Sequence, residues 1–216
     1  MSIDGRRSIE IETDPDGRKV ISQESADFLH EWAAAHNLSE IVNFHNVVRA
    51  CLAEKAVEFD GDDVDDRVVR SALDNYKGYL AKATFLMVYS YFEEDIYLLW
   101  KWQAKQVKRG REKSIRCYEP VLEWLGFDLQ HGSWQFMLEA TELRHSLIHA
   151  NGRLDHARDR QRLDDIMAKY PGELSVMHSR LQMSAEYISR FLGEVRSFQD
   201  EAKRVRLERE GRDDAN

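Results

Sequence analysis

Apolar residues recur along this chain at intervals of three and four, the period of helices buried on one side. Ser25 opens one such stretch, carrying Phe28, Leu29 and Trp32 and stopping near Asn37. Ser39 and Glu40 start the next, with Ile41, Phe44, Val48, Cys51 and Leu52 on one face. Asp60-Gly61-Asp62-Asp63 punctuates, and the acidic residues from Asp60 to Asp66 read as helix-capping chemistry rather than a calcium loop. A long helical region is predicted from about Val64 to Lys108, with Gly78 as a candidate kink. In it Phe85, Val88, Tyr89, Phe92, Ile96 and Leu99 keep helical spacing, while Leu86, Tyr91, Leu98 and Trp102 make other faces apolar. A helix apolar most of the way round is a central one, or is covered in part by a partner subunit.

The pattern continues with a short helix from Tyr118 to Leu125, Pro120 in its first turn and Gly126 closing it. Ser133 is placed to cap a helix from Trp134 to His149, with Met137, Leu138, Thr141, Leu147 and Ile148 inward and Asn151-Gly152 as its stop. Leu154 to Lys169 reads as another helix, Tyr170-Pro171-Gly172 as a break. A last helix begins near Ser179 with Leu181, Ala185, Ile188, Phe191, Leu192 and Val195. Ahead of all these, Ile9 and Ile11 alternate with Glu10 and Glu12 before Asp14-Pro15-Asp16-Gly17 and Val20-Ile21. That is either a hairpin or a loose arm. The prediction is an all-α fold, with or without a short N-terminal β-hairpin: an arm or hairpin at 1–22, a helical domain at 23–200 and a charged, solvated tail at 201–216.

Composition narrows the class. The 216 residues are 43% hydrophobic and 32% charged, enough for one domain with a large core, and three prolines and eleven glycines favour long helices. A formal charge of −8 argues against general coating of nucleic acid but allows a local basic patch. Cys51 and Cys117 form no C-x-x-C motif and read as reduced, buried thiols. The polar N-terminus has no apolar leader segment, and the longest apolar run, Phe85 to Phe92, is too short for a bilayer. A soluble, cytoplasmic protein that does not enter membranes is expected.

The chemistry concentrates in Arg144-His145-Ser146-Leu147-Ile148-His149-Ala150-Asn151-Gly152. Arg144 and His149 stand five positions apart, about 1.4 turns of helix. A permanently charged guanidinium and an imidazole that titrates near neutrality suit phosphate-ester chemistry. RNA carries its own nucleophile, the 2′-hydroxyl. Cutting it requires a base, an acid for the departing 5′ oxygen and positive charge on the phosphorane. One histidine does not readily serve as base and acid together, so one motif helix is half a site.

This stretch resembles the R-x4-6-H motif of HEPN domains, including the polar residue after the Arg and the H-x-N-G ending. A second segment, Tyr89-Ser90-Tyr91-Phe92-Glu93-Glu94-Asp95-Ile96-Tyr97, resembles the F-E-containing stretch on an earlier core helix of that family. The two segments, nine residues each, lie on two separate predicted helices. The resemblance implies a helical-bundle homodimer with a composite cleft, cutting RNA without metal to leave a 2′,3′-cyclic phosphate. It implies Arg144 on the phosphorane, His149 in proton transfer and Glu93 orienting Arg144, with toxin–antitoxin or antiphage defence as the setting and an antitoxin or regulatory protein as a further partner. Asn151 stands where family members silenced by tyrosine AMPylation carry Tyr, which speaks against an antitoxin of that type.

Each residue has a plainer reading. Arg144 can pair with Glu139, Glu142 or a neighbouring helix, and Asn151-Gly152 is explained as a helix cap. Any of Glu93, Glu94 and Asp95 can face Arg144, depending on helix rotation. His145 and His149 share a face with Asp155 or His156 nearby, but such a pair without a clear third ligand is seldom a metal site, and no metal or other cofactor is expected. His145 reads instead as a polar cleft residue near phosphate, and Asn151 as a candidate substrate contact. Lys101, Lys105, Lys108, Arg109, Arg111, Lys113 and Arg116 form the main basic concentration. It is a solvated helix end, or it grips an RNA backbone, with Lys105, Lys108 and Arg109 as contacts. The alternative function is a non-catalytic HEPN-type dimer that binds RNA or a partner protein.

Overall fold

The computed structural model describes residues 10–13, 17 and 19–213, and among them the protein is mostly helical. Two short strands, β1 (Ile11–Thr13) and β2 (Lys19–Ile21), pair antiparallel with Ile11 opposite Ile21. The expected N-terminal hairpin is therefore present; Ile9 and the turn residues Asp14, Pro15 and Asp16 lie outside the described residues. Two long helices follow, α1 (Gln23–Glu58) and α2 (Val64–Gln103). The break expected near Asn37 is absent. Ala33-Ala34-Ala35 favours helix, and Leu38 packs into the core, so the helix continues through Asn37. Asp63 caps α2 by accepting from the Asp66 N–H at 2.8 Å, and Arg70 reaches back to the Gly61 carbonyl at 2.7 Å. α2 runs unbroken through Gly78, where a Cβ would stand 3.2 Å from Gln182 Oε1.

The helix predicted to reach Lys108 ends at Gln103. The chain turns back so that Trp100 Nε1 donates to the Val107 carbonyl at 3.0 Å. A 3-10 turn (Ile115–Tyr118) leads into α3 (Glu119–Leu125) and then α4 (Gly132–Ala150), which begins with His131, not Ser133, at its N-cap. The helix expected from Leu154 is divided into a 3-10 turn (Leu154–His156) and α5 (Arg160–Lys169), because Asp159 caps α5 by accepting from the Arg162 N–H at 3.0 Å. The largest departure follows. Where a helix was expected to begin near Ser179 there is a hairpin of β3 (Leu174–Met177) and β4 (Arg180–Met183), with Val176 opposite Leu181. Its turn residues His178 and Ser179 both have positive φ, 50° and 61°, as a two-residue hairpin turn requires.

The final helix, α6 (Ala185–Asp213), corrects the idea of a fraying tail from residue 201. Ala202 and Val205 are buried, Arg204 pairs with Glu201 and Glu208 one turn either side, and the Arg209 guanidinium lies 3.6 Å from the centre of the Trp124 ring. The core lies where α2, α4 and α6 meet. Phe85 packs on Phe191 with ring centres 4.9 Å apart, and Phe198 meets both Phe92 and Phe127 at 5.0 Å. Trp134, Met137 and Leu143 are fully buried from α4. Buried Glu139 joins α4 to α5 through Lys169 and the Tyr170 hydroxyl. Three expected inward positions face out. Phe44 and Ile148 are each about half exposed, and Cys51 is exposed because His45, not Phe44, takes the inward place on α1. No helix among the described residues is long and apolar enough to cross a membrane.

Removing the aromatic ring that three elements share should be costly. Phe198→Ala is expected to lower unfolding free energy by about 3–5 kcal/mol in denaturant titration. His45 supplies a pH test of the α1 joint. Its Nδ1 lies 2.8 Å from Thr84 Oγ1, and burial, with Arg49 adding to it, pulls its pKa below the ordinary value of 6.5. The folded state then binds fewer protons than the unfolded one, so this stability is present above pH 6.5 and lost as pH falls. Melting curves from pH 8 to 5 should show a loss of stability that His45→Leu reduces.

Candidate functional site

The site is built where α2 crosses α4. Thr141 donates to the Met137 carbonyl at 2.9 Å, so its oxygen accepts from the Tyr89 hydroxyl, 2.7 Å away and buried. Burial also raises the Tyr89 pKa, keeping the phenol neutral. One helical turn beyond Tyr89 stands Glu93; one turn beyond Thr141 stand Arg144 and His145. Arg144 Nη2 lies 3.2 Å from Glu93 Oε2, and the guanidinium lies 5.1 Å from the centre of the Tyr89 ring. The structure thus joins Arg144 to Glu93 of the three candidate acids. Glu94 is exposed, and Asp95 is buried on the other side, accepting from Gln199 at 3.1 Å. Glu139, a rival partner for Arg144, is held by Lys169 and Tyr170 instead.

Charge in this corner is balanced against burial. Desolvation raises the Glu93 pKa, while Arg144 and then His145 hold it down. His145 and His149 project from the same face with ring centres 5.9 Å apart. Both line a cleft of about 570 Å³ bounded by α4, the segment from His156 to Asp159, and Ser114 and Arg116. Arg144 and Glu93 lie beside this cleft rather than in its wall, linked to it through His145 and Thr141.

The other expected contacts are dispersed. Asn151 ends α4 in the left-handed conformation, φ 49°, and its carbonyl accepts from Arg180 at 2.9 Å. Gly152, φ 71°, bonds Leu181 N–H through its carbonyl at 2.8 Å, and an added Cβ would approach Leu147 Cδ2 at 3.3 Å. The Asn-Gly pair therefore ends the helix and docks the hairpin, and Asn151 does not line the cleft. Lys105, Lys108 and Arg109 lie on the loop after α2, around a separate hollow with Trp100 and Cys117. Arg109 is already engaged: its guanidinium is 4.3 Å from the Trp100 ring centre and donates to the Tyr118 hydroxyl at 3.1 Å.

Sequence reasoning missed Arg158, which reaches the cleft from the loop before α5; His156, weighed only as a metal ligand, lines the cleft from the 3-10 turn. Lys82 and Arg180 stand close enough for Arg180 to lower the Lys82 pKa, after burial. Only the β3–β4 hairpin brings Arg180 there, so no local pattern could have signalled it. The notional ligand Asp155 is drawn to Arg153 at 2.6 Å, and among the described residues no three His, Cys, Asp or Glu side chains gather as a metal would need. Comparisons with family models, curated proteins and solved structures yield no match.

Arg144→Ala removes the cation that opposes desolvation of Glu93. The Glu93 carboxyl should then titrate at higher pH, measurable by carboxyl-detected NMR. A carboxyl whose folded pKa is raised stabilises the fold below its ordinary value of 4.5 and loses that stability as pH rises through the folded value. In Arg144→Ala this loss should extend to higher pH.

Proposed function

We propose that the protein is a HEPN-like, homodimeric endoribonuclease that cuts RNA by attack of the 2′-hydroxyl. The observation that carries this reading is the contact between Glu93 and Arg144, 3.2 Å apart. It joins the two sequence segments that resemble the family, beside a cleft lined by His149. Mostly helical architecture fits the same reading.

In this mechanism Glu93 holds the guanidinium in a set direction, and Arg144 turns its remaining N–H donors to the non-bridging oxygens as charge grows on the phosphorane. His149 takes the proton from the 2′-hydroxyl or gives one to the leaving 5′ oxygen. The 2′ oxygen bonds to phosphorus, the P–O5′ bond breaks, and the products are a 2′,3′-cyclic phosphate and a 5′-hydroxyl. The two proton transfers call for two imidazoles, which a second copy supplies through two-fold symmetry.

A surface suited to that second copy adjoins the site. Val64, Val68, Tyr76, Tyr79 and Tyr97 are exposed along α2 at intervals that place them on one face, and Tyr97 stands one turn beyond Glu93. Phe44 and Val47 of α1 are also exposed. Defence against phage, or toxin activity held by a regulatory protein, is the setting proposed for such a nuclease.

The second reading, a non-catalytic HEPN-type dimer that binds RNA or a protein, draws on the same contact: Arg144 is already paired with a carboxylate. Purified protein should cleave RNA equally with and without EDTA, leaving cyclic-phosphate ends. His149→Ala and Arg144→Ala should each slow cleavage by about 100-fold or more. Activity lost on chelation rejects the mechanism. RNA binding without cleavage selects the second reading, and a monomer in sedimentation rejects the composite site.

A further inference from the structure

We infer that the cleft beside His149 is a nucleotide pocket, which takes one unpaired nucleotide of the RNA next to the scissile phosphate, base inward. This rests on the ribonuclease reading for the identity of the polymer and adds a seat for one of its bases beside the scissile phosphate.

The walls have the chemistry a nucleotide needs. Leu138 and Leu163 are buried apolar residues that line the cleft, with Ala150 and Ala157 beside them. Small side chains there leave room for a flat ring. Its volume, about 570 Å³, falls within the roughly 300–1,000 Å³ typical of small-molecule sites. Imidazoles of His145, His149 and His156 face the space, and aromatic rings are common stacking partners of unpaired bases. Two guanidinium groups, of Arg116 and Arg158, also line it. Arg116 shares its charge with Glu119 at 2.9 Å, whereas Arg158 has no carboxylate partner among the described residues.

One polar group adds selectivity. Glu142 offers a carboxylate to an exocyclic amine. The other acid there, Asp159, is committed to the cap of α5. A base stacked and paired inside an A-form helix cannot enter such a cavity without leaving the stack, so duplex RNA is excluded by shape.

The test separates the pocket from the chemistry. Adenosine and uridine 3′-monophosphate are titrated into the full chain by NMR, with inorganic phosphate and ribose 5-phosphate as probes lacking a base. At least one nucleotide should bind ten-fold or more tightly than either baseless probe. Ala157→Trp, which fills the cleft, and Arg158→Glu, on an exposed loop, should each weaken that nucleotide ten-fold with unchanged helical circular dichroism. In cleavage assays single-stranded RNA should be cut at least 100-fold faster than a duplex of the same sequence, and Ala157→Trp should raise KM more than it lowers kcat. Nucleotide binding indifferent to both variants, equal binding of phosphate alone, or equal cutting of duplex overturns the inference while leaving the nuclease reading intact. If the protein cuts no RNA, the nuclease reading fails, and the nucleotide titration still judges the pocket.

Discussion

One buried hydrogen bond sets the geometry on which the rest turns. The Tyr89 hydroxyl and Thr141 meet at 2.7 Å where two apolar helices cross. Hydrophobic packing alone tolerates sliding and rotation by small steps. A buried hydroxyl pair does not, because each group is costly to leave unsatisfied. That contact fixes the rotation of α2 against α4, and with it which acidic residue reaches Arg144. Glu93 arrives because it follows Tyr89 by one turn, just as Arg144 follows Thr141 by nearly one. Tyr89 then serves a second time, its ring under the guanidinium at 5.1 Å.

The site that results is poised between opposed electrostatic demands. Burial favours a neutral Glu93, while Arg144 and His145 favour its anion. An ion pair of this kind, about a third exposed on the carboxylate side, contributes little to stability; what it supplies is direction. A guanidinium whose fork is engaged on one edge by a carboxylate and on its face by a phenol has only its outer donors left to offer. In the proposed enzyme this is preorganisation. In the non-catalytic reading it is the end of the matter, and a kinetic assay distinguishes them.

Much of this was legible in the chain, for reasons that differ by residue. The helices came from period, and the stop at Asn151 from the rarity of left-handed backbone in other residue types. Glu93 and Arg144 could be suspected of meeting only because two segments resembled one family; their separation in sequence carries no signal by itself. What stayed hidden was tertiary. His178-Ser179 forms a turn without the Asn-Gly chemistry that marks such turns, so β4 read as the start of a helix and β3 was assigned to no element. The charges beyond Phe198 read as a tail because periodicity cannot see that Trp124 waits for Arg209. Arg158 fell inside a predicted helix, with nothing to mark it until the fold set it beside His149 in one cavity.

The β3–β4 hairpin has a mechanical consequence. Its second strand touches α2 at Gly78, through Gln182, and the end of α4 at Gly152, through Leu181. With the direct crossing at Tyr89 and Thr141, those two helices and the hairpin form a closed triangle. A closed triangle of stiff members cannot scissor. Adjustment at Glu93, Arg144 and His149 is thereby confined to side-chain torsions, fast and local, while the frame beneath them moves as one piece.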